Sequence, residues 1–348
     1  LNMRALDVKR TMRRVSSIEQ SPFEKLISNR THQIGEPIES DLTIVTMFFR
    51  LKRNKYTNQH YEMWTKNFFS SVTKSPLIIF TDSLSLPLMR NLSAESSNPK
   101  TIVVFDDIWQ ILDLIQQANK FTNGSYRSLY ETEQHDMDPE KYLHTADLYA
   151  IWNSRPYLMR MLCESSNIYG SSYFVYSDIG AFRFNVYTGW PDHEFTVRTL
   201  RNLNDRMLFG QVREKLRDIH SSLTDYLEGG FLAGSIKAFP FFSRQFYSIH
   251  DRLLLRRQFV GKDQKMINMF AHLEHKNHSC RLWVPDMTYY CILNYNEWFF
   301  YQFYLAPNQI NQSSFTKICP LTLQTTRSAA NKSNNFTTYH QTHPNSIT

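Results

Sequence analysis

Residues 173–183 read YFVYSDIGAFR, and the fold turns on that stretch. Tyr173–Tyr176 is a nearly continuous apolar run that stops at Ser177-Asp178. A strand apolar on both faces belongs in a parallel sheet covered on both sides. Asp178 then stands at a water-poor strand end, where a carboxylate either binds a metal or sugar hydroxyls or caps a turn. Gly180 lets the backbone turn and a ligand come close. Arg183 is placed to meet a phosphate or to pair with Asp178.

Three earlier runs have the same character: Leu42–Phe49 (LTIVTMFF), Leu77–Phe80 (LIIF) and Thr101–Phe105 (TIVVF). Helical stripes lie between them. Tyr61, Trp64, Phe68 and Val72 mark one; Ile108, Ile111, Leu112 and Ile115 mark another, with Asp106 or Asp107 as its cap. A third helix is expected from Ser154, with Pro156 in its first turn and Leu158, Met161 and Leu162 facing inward. Alternating β and α elements predict an α/β fold, a Rossmann-like, mostly parallel sheet flanked by helices. A single catalytic domain is expected over residues 41–305. Residues 1–40 read as a tail or stem, and residues 306–348, rich in Asn, Ser, Thr and Gln, as a disordered tail. The polar stretch Asn119–Lys141 is too long for an ordinary connection, and is either a flap over a site or an inert surface insertion.

Hydrophobic residues make up 42% and aromatics 14% of the 348 residues, enough for a core and incompatible with a disordered chain. The 39 basic and 32 acidic residues leave a net charge of +7, which favours anionic partners. The basic residues are scattered and no nucleic-acid-binding motif appears, so a phosphorylated small molecule fits better than nucleic acid. Cys163, Cys280, Cys291 and Cys319 form no CxxC pair, which argues against a zinc or thioredoxin-type site; Cys280 and Cys291 are a possible disulfide. Seven Asn-x-Ser/Thr acceptors tilt the compartment towards the secretory lumen. No apolar run approaches the ~18 residues of a membrane helix. The chain begins at Leu1, so any signal or anchor is expected upstream of it.

In doubly wound sheets, ligands bind beyond the carboxyl ends of the strands. The first strand runs into Arg50, Lys52, Arg53 and Lys55, cations able to offset a diphosphate, although Lys52 and Lys55 read better as a solvated loop. The second ends at Asp82, which either holds a ribose or base or caps the following turn. Leu227–Ile236 (LEGGFLAGSI) places Gly229 and Gly230 inside an apolar run, a sign of backbone lying against a ligand or of a bulge. Glu228 before them can act as a base or hold a hydroxyl. Lys262-Asp263-Gln264 opens a short helix, with Asp263 as a candidate cap; His272, His275 and His278 read as a loop rather than a metal site.

Taken together, PLIIFTD, TIVVFDD, Trp152-Asn153-Ser154-Arg155-Pro156, YFVYSDIGAFR, EGGFLAGS and KDQ resemble the HtrL/YibB-like (WlaTC) family, relatives of the GT-A glycosyltransferases, over roughly residues 42–300. The resemblance implies transfer of a sugar from a nucleotide-sugar donor to a glycan, protein or lipid acceptor. It gives Asp178 the first acidic position of an Asp-x-Asp element, with Gly180 where the second acid would stand. That substitution leaves three options: Mn²⁺ or Mg²⁺ held through Asp178, a metal-free site in which Arg155 or Arg183 offsets the diphosphate, or a catalytically inactive relative serving as a binding or scaffold protein. The resemblance also turns Arg155 towards the donor, sets Gly229-Gly230 beside the sugar, and brings Asp263-Gln264 near the reacting centre. Glu228 and Asp263 are the candidate catalytic acids, with Asp82, Arg155, Asp178, Arg183, Gly229, Gly230 and Gln264 as donor-binding candidates.

Overall fold

Each of the four apolar runs forms a strand whose side chains alternate between two cores, as burial on both faces requires. Val45 and Met47, Ile78 and Phe80, and Phe174 and Tyr176 enter one core; Ile44, Ile79 and Val175 enter the other. The computed structural model describes residues 22–51, 55–165, 167–183, 186–213, 225–283, 298–307 and 316–319. Among them lie the strands β1 (Thr31–Ile34), β2 (Leu42–Phe48), β3 (Leu77–Asp82), β4 (Lys100–Phe105), β5 (Tyr173–Ser177), β6 (Met207–Gln211), β7 (Leu227–Ser235), β8 (Ser279–Trp283) and β9 (Thr316–Ile318). They form one sheet in the order β1-β4-β3-β2-β5-β7-β6-β8-β9. Six strands, β2 to β6 and β8, point one way, so the sheet is mostly parallel in sense.

Helices cover both faces. The first core is closed by α1 (Pro22–Ser28), α4 (Ile108–Asn119), α5 (Ala146–Glu164), α7 (Ala238–Leu255) and α8 (Asp263–Met269). The second is closed by α2 (Asn58–Ser71), α3 (Leu86–Ser93), α6 (His193–Arg201) and α9 (Phe300–Leu305). The result is a single mixed α/β domain of three layers. No described helix is long and apolar enough to cross a membrane.

Strand order places the crevice. Chain order runs from β2 outward through β3 to β4, whereas β5 lies on the other side of β2, so the carboxyl ends of β2 and β5 flank a topological switch point. Beside β5, the strand β7 is irregular: Phe209 pairs with Leu232 but Gln211 pairs with Leu227, so two steps along β6 match five along β7. The excess lies at Glu228-Gly229-Gly230, a wide bulge that faces the end of β5, where the Asp178 amide donates to the Gly230 carbonyl at 2.8 Å.

Several sequence expectations need correction. The stem assigned to residues 1–40 contains α1 and β1: Phe23 and Ile27 are buried, and β1 extends the sheet against β4. The third helix starts at Ala146 rather than Ser154, capped by the Thr145 hydroxyl, because Tyr149 and Ala150 also face the core; Pro156 therefore lies inside the helix. Within Asn119–Lys141, helical turns bury Tyr126 and Tyr130, whose hydroxyls meet Asp251 at 2.6 Å and His250 at 2.7 Å on α7. That segment is a docked part of the domain, neither an open flap nor an inert insertion. Between the candidate caps of α4, Asp107 accepts from the Gln110 amide.

Residues 306–348 contain β9, which pairs with β8 at the sheet edge. The disulfide joins Cys280 to Cys319, not to Cys291, which lies outside the described residues. Pairing β9 with β8 brings the two Cα atoms to 4.4 Å. Closing 39 residues of chain should stabilise the fold by about 2–4 kcal/mol. Cys319→Ser is therefore expected to melt earlier than the parent in non-reducing buffer, and melting curves that coincide would contradict the pairing.

Candidate functional site

Arg155 organises the end of the sheet. It lies on α5, 2% exposed, and its guanidinium spans the gap between β5 and β7. Nη1 donates to the Gly229 carbonyl at 2.8 Å and to Asp263 Oδ2 at 3.0 Å; Nη2 donates to Asp178 Oδ2 at 3.0 Å; Nε donates to the Tyr176 hydroxyl at 3.2 Å. Burial works against the charge, but the Tyr176 oxygen, Asp263 and Asp178 outweigh it and hold the guanidinium protonated. One planar cation thus fixes an acid from the β5 end, an acid from α8 and the bulge backbone.

The acids differ in environment. Asp178 is half-buried; its second oxygen accepts the Gly180 amide at 3.0 Å. Asp263 is the first residue of α8, with Lys262 in the cap position, and Gly229 makes room for it: a Cβ there would overlap the carboxylate. Burial pushes Asp263 above the usual carboxylate range, and Arg155 pulls it back only in part. Gln264 steadies this corner by donating to the Leu227 carbonyl at 3.0 Å. Glu228 is buried beside Gly210 and Gly230 on the other side of the bulge.

In front of Asp178 opens a cavity of about 260 Å³, lined by Arg50, Lys55, Tyr61, Trp152, Arg155 and Arg183 among others. Arg183 does not pair with Asp178. Its guanidinium packs against the rings of Trp64, Phe299 and Tyr56 at 4.5, 4.8 and 4.9 Å, and donates to the Tyr56 hydroxyl at 3.3 Å. Among the described residues it has no carboxylate partner, so an aromatic cage presents an uncompensated cation to the cavity. Burial and the nearby Asp178 push Tyr61 up to about 12.

The structure thus brings Asp178, Arg155, Gly229, Gly230, Asp263, Gln264 and Glu228 around one point and sets Arg183 at the same cavity. Asp82 stands apart: its oxygens accept the Arg50 amide at 2.6 Å and the Ser85 amide at 2.7 Å, the turn-capping role. Lys52 and Arg53 lie outside the described residues. The expected histidine loop is in part helical; His272 packs on Tyr226, and burial lowers its pKa to about 4. The cage aromatics Tyr56 and Phe299 were not anticipated, and Trp64 was read only as core; an arginine's aromatic neighbours come from three separate segments and leave no local spacing.

Asp138, Glu140 and His144 form the group of three potential metal ligands among the described residues. Its donor atoms are already engaged. Asp138 Oδ2 accepts from Tyr149 and His144 at 2.6 and 2.9 Å, Asp138 Oδ1 accepts the Glu140 amide, and Glu140 pairs with Lys262. Burial pushes Asp138 up, yet these hydrogen bonds outweigh it and hold the carboxyl at about 2. A divalent ion would have to displace Lys262 here, or Arg155 at Asp178. The triad offers three ligand atoms within 4.8 Å of one another, and both it and the Asp178 end already carry a counter-cation.

No family model and no curated protein matches the chain. Among solved structures, the fold is similar to that of mouse xyloside xylosyltransferase 1 in its apo form, at 12% identity and a TM-score of 0.43, over 70% of this chain and 84% of that one.

Proposed function

We propose that the chain is a glycosyltransferase that binds a nucleotide-sugar donor in the crevice between the ends of β2 and β5 and passes the sugar to a glycan, protein or lipid hydroxyl. One observation carries the reading: Arg183, a guanidinium without a carboxylate partner among the described residues, faces the same cavity as an acid held by Arg155 at a topological switch point. A glycosyl donor departs as a nucleoside diphosphate, so fixed cations must meet its developing charge. Arg183, with Arg50 and Lys55 on the cavity wall, supplies them without a metal. Either Glu228 or Asp263 takes the acceptor's proton. The HtrL/YibB-like resemblance of the motifs supports the same reading, and the Cys280–Cys319 disulfide supports a luminal setting.

A second reading, a donor-binding protein without transferase activity, is favoured by Gly180 standing where a second acid is expected. Asp178→Asn separates them. The amide keeps a side-chain oxygen for the Gly180 amide, and Arg155 keeps Asp263, so the melting temperature should stay within a few degrees of the parent. If the chain is an enzyme, sugar transfer or donor hydrolysis should fall at least a hundredfold. A parent protein that binds donor yet neither transfers nor hydrolyses it supports the binding protein.

A further inference from the structure

Glu228 is 1% exposed, and neither of its carboxyl oxygens has a hydrogen-bond partner among the described residues. Stability alone does not explain such a group, because an unsatisfied buried carboxyl is destabilising. The fold nevertheless makes room for it. A Cβ at Gly210 on β6 would overlap Oε1. At Gly230, which is only partly buried, a Cβ would stand 3.5 Å from Asp178 Cβ and 3.7 Å from Glu228 Oε2, ordinary contact distances, so the place its side chain would take lies between the two acids. Tyr301, whose hydroxyl meets Ser177 Oγ at 3.0 Å, stacks on Phe231 beside this niche. Two glycines and a wide bulge thus hold an acid with free hydrogen-bonding capacity next to Asp178.

We propose that the Glu228 carboxyl recognises a hydroxyl of the sugar carried by the donor, beside Gly230; this rests on the donor reading above. The ligand class follows from charge. An anionic group would meet Asp178 at close range, whereas a hydroxyl can give and accept one hydrogen bond. Burial, reinforced by Asp178, pushes the Glu228 carboxyl well above the usual range, which favours the protonated form, with one O–H to donate and one carbonyl oxygen to accept. A group in that state binds an alcohol and does not deprotonate it, which leaves the acceptor's proton to Asp263.

The test is calorimetric titration of the full chain with UDP, UDP-glucose, UDP-N-acetylglucosamine, GDP and GDP-mannose. The parent should bind one sugar nucleotide at least tenfold more tightly than its diphosphate. Glu228→Gln, which keeps an N–H donor and a carbonyl acceptor, should preserve that ratio. Glu228→Leu should erase the ratio while diphosphate affinity stays within twofold. Two results would overturn the proposal: a Leu variant with the ratio intact, or a Gln variant with binding intact and turnover reduced a hundredfold, the mark of a proton-transfer group. If the parent binds diphosphate without any gain from the sugar, the inference fails and the diphosphate site stands. If the parent binds no diphosphate at all, the donor reading falls and takes the inference with it.

Discussion

Arg155→Ala is expected to lower the melting temperature by about 6–20 °C. The change leaves Asp263 buried without its counter-charge, opens Asp178 on the same side, and strands the Gly229 carbonyl. Breaking a buried ion pair by removing one partner costs about 3–5 kcal/mol, and a domain of this size loses roughly 2–4 °C per kcal/mol. Arg155→Lys should recover part of the loss, because an ammonium carries the charge but cannot present a planar fork to three partners. Thermal melts at pH 7 read both. A loss below about 2 °C for the alanine variant would mean that the guanidinium does not hold the β5 and β7 ends together.

The second large effect is a pH dependence carried by Glu228. An acid whose folded pKa is raised binds more protons in the folded state than in the unfolded chain. Stability from this group is therefore greatest below the ordinary glutamate range and falls as pH rises through it and beyond. The slope reaches about 1.4 kcal/mol per pH unit while the unfolded chain is ionised and the folded one is not. Glu228→Gln removes the titration, so its stability advantage over the parent should widen from pH 4.5 upward. Denaturant unfolding of both proteins at pH 4.5, 6 and 7.5 measures the difference. A difference that stays flat, or narrows as pH rises, would show that the folded carboxyl is ionised.

Much of this arrangement was legible in the residues. The alternating cores follow from the apolar runs, and the acid beyond YFVYS with the paired glycines of LEGG marked the ends that meet. Of the two readings offered for Gly229 and Gly230, the bulge is present, and Gly229 leaves room for the Asp263 carboxylate. Arg155 was harder to place from spacing, because its partners lie 21, 23, 74 and 108 residues away in sequence. Of the two roles offered for Arg183, the pairing with Asp178 fails for a similar reason: that acid is held by the arginine of a helix, and Arg183's own neighbours are rings from distant segments. The cap of α5 was misjudged because Pro156, a good first-turn residue, sits mid-helix while Thr145 holds the true start. The polar tail concealed β9, whose place depends on pairing with β8 and on Cys280.

The central claim is that Arg183, which has no carboxylate partner among the described residues, and the Arg155-held acid make a site for a nucleoside diphosphate. Its most direct test is titration of UDP and GDP into the parent and into Arg183→Met, which keeps an apolar stem in the aromatic cage and removes the charge. The parent should bind one of them, and the variant should bind it about 10–150-fold more weakly, the range of a hydrogen bond to a charged group. Equal binding by both proteins, or binding by neither alongside tight and steeply salt-dependent binding to DNA or RNA, would contradict the account.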